Sequence, residues 1–231
     1  MADPSDSKQG RYASPPCMAG EVDPAYFDPL ATDPQQASDV ARWRKAERQR
    51  LRAERTDLSV ADRKAIGEQL IRHLHEILAT RFGGAKGRVF SAYWPIKGEP
   101  DLRPLMSDLH ESGVTIALPL VETKAAPLVF RRWTPQTRMV RGDWNIPVPP
   151  PEAEAITPDI TLAPLVGWDE QGYRLGYGGG YFDRTLAALS PRPFTIGIGF
   201  ETARLSTIYP QPHDIALDLI LTEAGIRAER G

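Results

Sequence analysis

A glycine-rich segment at residues 172–184 constrains the fold of this chain more than any other part of the sequence. Five of its thirteen residues are glycine, and aromatic residues lie between them. An apolar run at 160–166 precedes the segment, and residues 183–189 can form a helix after it. Glycines let backbone N–H groups approach an anion closely, and a helix N-terminus attracts negative charge. The pattern predicts a phosphate-binding loop, with a purely structural turn as the alternative.

The segment does not follow a standard nucleotide-binding motif. It lacks the Gly-Lys-Ser/Thr ending of a P-loop and the third glycine of the Rossmann fingerprint. A charged turn at 168–172 separates the glycines from the preceding strand, whereas Rossmann glycines follow their strand at once. The chain also lacks the G-x-S-x-G motif that carries a nucleophilic serine. The residues alone indicate phosphate binding without naming the ligand.

Along the rest of the chain, apolar runs alternate with helix-forming segments. This alternation predicts a layered α/β/α single domain with a mostly parallel or mixed sheet over residues 39–231. A β-α-β unit within 88–118 predicts a parallel pair of strands with a right-handed crossover. The predicted strands lie at 88–94, 114–118, 128–133, 160–166, 194–200 and, as the last, 217–221, and we expect Pro119 to stop the second of them. The first two helices are predicted at 38–55 and 59–81. Ser38 can cap the first helix, and Ser59 with Asp62 three residues later resembles a capping box at the start of the second.

Two segments fall outside this alternation. Residues 1–38 are rich in Pro, Asp, Ser, Ala and Gly, which predicts a flexible N-terminal tail. Residues 135–158 are rich in proline and predict an ordered excursion over the surface. We expect Trp144 and Ile146 to be covered there, because exposing large apolar side chains is unfavourable.

Composition narrows the class of protein. The chain has 231 residues, a formal net charge of −2 and a single cysteine, Cys17, so it has no disulfide framework. No apolar run approaches the roughly 20 residues that span a bilayer, and the N-terminus lacks the pattern of a secretory signal. We therefore expect a cytoplasmic protein without a membrane partner. We also expect a monomer, although none of these features bears on the oligomeric state. The net charge also argues against nucleic acid as a general partner.

The first predicted helix is strongly basic. Between residues 42 and 55 it carries seven Arg or Lys residues and two Glu residues. Arg44, Arg48 and Arg52 are spaced by four, so they lie along one side of the helix. Such a row is either a solvated face, a group of guanidinium forks aimed at a polyphosphate, or a local nucleic-acid surface.

Two carboxylates are candidate metal ligands. Asp183 lies at the start of the helix that follows the glycines, where a carboxylate stabilises the helix for structural reasons alone. Beside bound phosphates the same carboxylate is well placed for Mg²⁺, which prefers one or two carboxylates and phosphate oxygens. Asp214 follows the last long loop near the predicted end of the sheet, and it is either a second metal ligand or a turn residue.

The stretch Arg174 to Leu186, of the pattern R-L-G-x-G-G-G-Y-[YF]-D-R-T-L, resembles the signature of the 5-formyltetrahydrofolate cyclo-ligase (5,10-methenyltetrahydrofolate synthetase) family. The resemblance covers about residues 42–222. Beyond the signature, it rests on Arg55 to Ser59, the loop with Glu99, Trp144 to Pro147, and His213-Asp214. It implies an enzyme that cyclises 5-formyltetrahydrofolate to 5,10-methenyltetrahydrofolate with ATP and Mg²⁺, releasing ADP and phosphate. A divergent paralogue without this turnover is the alternative.

The resemblance also implies roles for individual residues. Asp183 and Asp214 match Mg²⁺ carboxylates, Arg174 and Asp183 match catalytic residues, and Glu99 matches a folate-binding residue. Trp94 falls at a folate-lining position, although a core role is equally consistent with its sequence context. This chain departs from the family pattern at position 148, where it has valine and many bacterial members have glutamate. ATP contacts fall on Arg44, Arg48, Arg174, Leu175, Gly176, Tyr177, Gly178, Gly179, Gly180, Tyr181 and Phe182, of which Tyr177 to Tyr181 also border the folate.

Overall fold

The first helix and the β-sheet are the elements on which the rest of the fold is assembled. The computed structural model describes residues 34–230. Most of the predicted tail, residues 1–33, lies outside the described residues. Residues 34–38 belong to the first helix, which begins four residues before the predicted Ser38 cap. The helices are α1 (Pro34–Asp57), α2 (Val60–Phe82), α3 (Arg103–Glu111) and α4 (Tyr181–Ala188).

Seven strands form one mixed sheet, and two short hairpins stand beside it. The strands in chain order are β1 (Val89–Ser91), β2 (Thr115–Leu120), β3 (Val129–Trp133), β4 (Val140–Arg141), β5 (Pro147–Val148), β6 (Ile160–Pro164), β7 (Gly167–Trp168), β8 (Arg174–Leu175), β9 (Phe194–Ile198), β10 (Leu219–Thr222) and β11 (Gly225–Glu229). The main sheet has the order β11-β10-β9-β6-β1-β2-β3, with β4-β5 and β7-β8 as separate pairs.

The five central strands, β10, β9, β6, β1 and β2, run parallel, and β3 and β11 are antiparallel at the two edges. The predicted mostly parallel or mixed α/β sheet and the parallel β1-α3-β2 unit are confirmed. The chain moves from β1 to β2 in one direction and from β6 to β9 in the other. The carboxyl ends of β1 and β6 therefore flank a topological switch point, where open α/β sheets bind their ligands.

Alternating side chains give the sheet two buried faces. On one face, Leu162 and Ile196 pack against the apolar stripes of α2 and α3. On the other, Ala163 and Ile220 pack against α1, α4 and the region of the β7-β8 hairpin. Helices therefore cover both faces, which confirms the predicted three layers. No helix within residues 34–230 is long and apolar enough to cross a membrane.

Helix α2 begins as the sequence predicts. The Ser59 hydroxyl accepts a hydrogen bond from the Asp62 N–H at 3.0 Å and donates to the Asp62 carboxylate at 2.7 Å. This reciprocal cap satisfies a backbone donor that the first helical turn leaves without a helical partner. Gly83 ends the helix with φ 58°, the left-handed conformation that favours glycine.

Three details of the sequence prediction are wrong. Leu217–Leu221 is not the last strand, because β11 follows; its exposed, charged sequence is typical of an edge strand and lacks a strong apolar pattern. Pro119 does not end β2. Proline has no backbone N–H to donate, and it is tolerated here because β1 pairs with β2 only as far as Ala117, so that side of Pro119 has no partner strand. Trp144 is not covered: its side chain is 59% exposed.

The exposure of Trp144 follows from the turn that joins β4 to β5. Trp144 and Asn145 both have positive φ angles, 52° and 61°, a conformation that side chains other than glycine rarely adopt. The exposed indole at this turn meets the Tyr181 ring edge-on, with 5.7 Å between ring centroids. The proline-rich excursion thus passes beside the glycine-rich segment at this turn.

We predict that Gly197→Ala, in β9, destabilises the protein by about 1–3 kcal/mol, as overpacking of a core does. A Cβ atom at this position would lie 2.7 Å from Leu217 Cδ1 and 2.8 Å from Ile220 Cδ1. Gly67→Ala is the matched control, because its Cβ would meet only ordinary contacts on α2, the nearest at 3.5 Å. It should stabilise the helix by about 0.5–1 kcal/mol. Urea unfolding measures both, and equal effects would contradict this account of the core.

Candidate active site

The β7-β8 hairpin presents the glycine-rich segment at the switch point. The charged turn predicted to separate strand and glycines is the turn of this hairpin, and the glycines follow β8 directly. Asp169 is fully buried within it and accepts hydrogen bonds from the Tyr173 N–H at 3.0 Å and the Ile208 N–H at 3.0 Å. Helix α4 begins at Tyr181, so Asp183 lies in its first turn.

Arg48 of α1 lies directly against the glycines. Its Nε donates a hydrogen bond to the Gly176 carbonyl at 2.7 Å. At Gly178, a Cβ atom would lie 3.6 Å from the Arg48 guanidinium carbon, and φ is 104°. Glycine at 178 is therefore favoured both by its backbone conformation and by the close approach of Arg48. Arg48 therefore lies against the predicted phosphate-binding glycines, and its role in ATP binding stays a prediction.

Arg44, one turn earlier, is buried and joins α1 to the loop before β10. Its Nε donates to the Ile208 carbonyl at 2.9 Å, and one Nη donates to the Tyr209 carbonyl at 2.9 Å. The same guanidinium forms a buried ion pair with Asp214. The predicted ATP arginine and the predicted metal carboxylate are therefore direct neighbours.

Arg174 and Asp183 form the second buried ion pair of the site, with 2.8 Å between Arg174 Nη2 and Asp183 Oδ1. Both residues also contact the backbone of Ile215. Asp183 accepts from the Ile215 N–H at 3.1 Å, and Arg174 donates to the Ile215 carbonyl at 3.0 Å. Since Asp214 precedes Ile215, the structure brings the two predicted Mg²⁺ carboxylates to one short stretch of chain.

The donor set of this pair fits Mg²⁺. Within residues 34–230, no group of three or more His, Cys, Asp and Glu residues could hold a metal ion. Mg²⁺ does not require such a group, because it commonly takes one or two carboxylates and completes its shell with phosphate oxygens and water. Asp183 and Asp214 offer such a partial set beside the segment predicted to bind phosphates.

Glu99 lies in a buried cluster that follows β1. Its Oε2 accepts from the Ile96 N–H at 2.9 Å, and its Oε1 accepts from the Tyr177 hydroxyl at 2.8 Å. Burial raises the pKa of the Glu99 carboxyl, while these two donors and the charge of Arg55 oppose that rise. Burial and the neighbouring Glu99 charge also raise the pKa of Tyr177. The structure thus joins two of the predicted folate residues.

Arg55 also belongs to this cluster, although no role in binding or catalysis was predicted for it from the sequence. It is buried, and its Nη2 donates to the Tyr177 hydroxyl at 2.6 Å. Arg44 and Arg55 are eleven residues apart, about three helical turns, so they share one face of α1. That spacing was visible in the sequence, but seven basic residues in fourteen left several faces to choose from.

Trp94 is half-buried and packs against the core that α2 and α3 cover. The Arg103 guanidinium lies over its ring, 5.4 Å from the centroid. These contacts are compatible with both roles that the sequence left open for Trp94, so its folate-lining role stays a prediction.

Comparison with known proteins decides the family. The sequence profile of the 5-formyltetrahydrofolate cyclo-ligase family matches residues 40–223, a range that includes every site residue described above. The chain belongs to this family. A relative from Mycolicibacterium smegmatis named 5-formyltetrahydrofolate cyclo-ligase is 33% identical over 180 residues, which cover 73% of this chain and 92% of the relative. The Escherichia coli K12 protein of the same name is 37% identical over 135 residues, 56% of this chain and 74% of that protein.

Solved structures show the same fold. The NMR structure of 5,10-methenyltetrahydrofolate synthetase from Aquifex aeolicus aligns with a TM-score of 0.69 at 27% identity, covering 81% of this chain and 93% of that one. A structure of the synthetase from Mycoplasma pneumoniae aligns with a TM-score of 0.63 at 22% identity, covering 78% and 98%, and shows likeness of fold alone. The predicted family and enzyme class are confirmed, and the roles of the individual site residues stay predictions.

We predict that Glu99→Gln changes the pH dependence of stability. The folded-state pKa of Glu99 lies above its ordinary value, so between the two values the folded protein binds more protons than the unfolded chain. The stability of the wild type relative to Glu99→Gln is therefore greatest at acid pH and falls as pH rises through the folded-state pKa. Denaturant unfolding from acid to neutral pH measures this difference. Glu68→Gln, at an exposed position of α2, is the control, and the same trend in both variants would contradict burial of Glu99 as the cause.

Proposed function

We propose that the protein catalyses the ATP- and Mg²⁺-dependent cyclisation of 5-formyltetrahydrofolate to 5,10-methenyltetrahydrofolate, with release of ADP and phosphate. The observation that carries the proposal is the position of the glycine-rich segment. Arg48 donates a hydrogen bond to one of its residues, Arg174 and Asp183 form an ion pair within it, and Tyr177 within it contacts Glu99. The names of the relatives support the same reaction.

The proposed chemistry needs an activated oxygen. The formyl oxygen attacks the γ-phosphorus of ATP, the bond from that phosphorus to the β-γ bridging oxygen breaks, and ADP leaves. N10 of the folate then attacks the formyl carbon and loses its proton, while the carbon–oxygen bond breaks and phosphate departs. Without phosphorylation, the formyl oxygen is a poor leaving group. No side-chain nucleophile is required, and catalysis depends on alignment and on neutralising charge.

The residues around the glycines can supply both. Arg44 and Arg48 provide guanidinium forks one helical turn apart, which suits phosphate oxygens. Backbone N–H groups of the glycines and the N-terminus of α4 provide further donors for an anion. Arg174, fixed by the Ile215 carbonyl and Asp183, adds positive charge at the transferred phosphate. Asp183 and Asp214 would hold Mg²⁺, which would neutralise negative charge on the phosphates.

Glu99 suits the aminopyrimidine edge of a pterin. A carboxylate with two accepting oxygens can bind two neighbouring N–H donors. Because Glu99 follows β1 and the glycines follow β6, the pterin and the triphosphate would meet at the switch point between these strands. The formyl group would then lie close to the phosphate that activates it.

The structure gives less support to the nucleic-acid alternative. Arg44 and Arg55 point into the protein and bond to backbone carbonyls. Arg42 and Arg50, on the outer side of α1, pair with acidic side chains of the same helix. The basic face of α1 therefore binds other parts of the chain, and that burial favours the ligase.

We predict that the purified protein forms 5,10-methenyltetrahydrofolate from folinate, ATP and Mg²⁺, as measured by the near-ultraviolet absorbance of the product. The absence of product would refute the proposed function.

We also predict that Asp183→Asn lowers turnover by at least about 10-fold and raises the Mg²⁺ concentration required, because it weakens a metal ligand. Asp39→Asn, at an exposed ion pair of α1, is the control. If thermal stability falls in step with activity and the Mg²⁺ requirement does not change, Asp183 only supports the helix.

A further inference from the structure

Arg55 connects three loops of the site and belongs to none of them. Its Nε donates to the Lys97 carbonyl at 3.1 Å, in the loop that carries Glu99. Its Nη1 donates to the Leu165 carbonyl at 3.4 Å, just after β6, and its Nη2 to the Tyr177 hydroxyl. All three acceptors are uncharged, so none of these bonds neutralises the positive charge of the guanidinium, which lies within hydrogen-bond reach of the glycine-rich segment and of the Glu99 loop.

These bonds fix the direction of a hydrogen-bond chain. A tyrosine hydroxyl has one proton, and the arginine can only donate. Since Tyr177 accepts from Arg55 at 2.6 Å, its own proton is directed to Glu99 Oε1 at 2.8 Å. The chain therefore runs from Arg55 through Tyr177 to Glu99, and it favours an ionised, accepting carboxylate.

Glu99 retains acceptor capacity after these bonds. An ionised carboxylate has about four lone-pair positions on two oxygens. One on Oε2 is used by the Ile96 N–H and one on Oε1 by Tyr177, so one position on each oxygen remains. Two parallel acceptors match a ligand edge with two neighbouring N–H donors, and they reject an edge that carries an acceptor in place of a donor.

The ring of Tyr177 is held as firmly as its hydroxyl. The guanidinium carbon of Arg52, that of Arg55 and the Lys97 ammonium lie 5.5, 5.7 and 5.6 Å from its centroid. Such cation–π contacts restrict the ring. At Gly98 a Cβ atom would lie 3.6 Å from Arg55 Cγ, so the Glu99 loop also passes close to the arginine stem.

We propose that Arg55 and Tyr177 are positioning residues that act through Glu99 to select the donor–donor edge of the pterin. The proposal rests on the proposed function, and it adds that recognition at Glu99 depends on a residue of α1 that does not touch the substrate. Tyr177 is thereby given a defined part in the folate site, in addition to its place in the glycine-rich segment.

The test compares Tyr177→Phe with Tyr93→Phe. The second variant removes a hydroxyl from another buried tyrosine, whose hydroxyl donates to the Pro100 carbonyl at 3.0 Å. Calorimetry with folinate in the absence of ATP should give about 10-fold weaker binding for Tyr177→Phe, the size of one hydrogen bond to a charged group. Tyr93→Phe should bind folinate as the wild type does, even if it is equally destabilised. A folinate analogue that lacks the 2-amino group should bind the wild type more weakly than folinate does. This difference in affinity should be smaller in Tyr177→Phe.

A double-mutant cycle tests the role of Arg55. Arg55→Lys keeps the charge but loses the planar fork, so it should weaken folinate binding in the Tyr177 background and much less in the Tyr177→Phe background. Equal losses in both backgrounds would reduce Arg55 to a residue that supports the fold. Normal folinate binding by Tyr177→Phe would overturn the positioning role and leave the proposed function intact. A wild type that neither binds nor converts folinate would overturn the proposed function, and the positioning role with it.

Discussion

The site depends on three arginines on one face of α1, of which Arg44 and Arg55 are buried and Arg48 is partly buried. Arg44, Arg48 and Arg55 contact, in turn, the loop before β10, the glycine-rich segment, and the loop that carries Glu99 together with Tyr177. Burying a guanidinium is unfavourable unless its donors are satisfied, so these contacts fix the loops as much as they fix the arginines. The helix thereby holds together segments that leave different strands of the sheet.

The ion pairs explain how a site for a highly charged ligand can fold without that ligand. In the described structure Arg44 pairs with Asp214, and Arg174 pairs with Asp183, so each of these two arginines proposed for ATP is neutralised by a carboxylate proposed for Mg²⁺. Under the proposed function, phosphate oxygens would become partners of the arginines while the metal became the partner of the carboxylates. Each charged group of the two ion pairs would then still have a partner of opposite charge after binding. The charge of Glu99 is stabilised by a hydrogen bond from the Tyr177 hydroxyl, so Glu99 takes no part in this exchange of ionic partners.

Much of this arrangement could be predicted from the sequence, and the failures have physical causes. The parallel sheet followed from apolar runs alternating with helices, and the cap at Ser59 followed from local chemistry. Strand β11 was missed because an exposed edge strand needs no apolar pattern, and the exposure of Trp144 was missed because it depends on backbone angles within one turn. Arg55 was missed for another reason: its partners lie 42, 110 and 122 residues away in sequence, so no local pattern separates it from the other arginines of α1.

The most direct test of this account is calorimetric titration of Arg48→Ala with a non-hydrolysable ATP analogue and, separately, with folinate. Arg50→Ala is the matched control, since Arg50 lies on the exposed side of the same helix and pairs with Glu47 and Glu54. We predict that Arg48→Ala weakens nucleotide binding by about 10-fold or more, as the loss of a charge-assisted contact does, and leaves folinate binding nearly unchanged. Equal losses for both ligands, or equal effects of the two substitutions, would contradict the assignment of Arg48 to the phosphates.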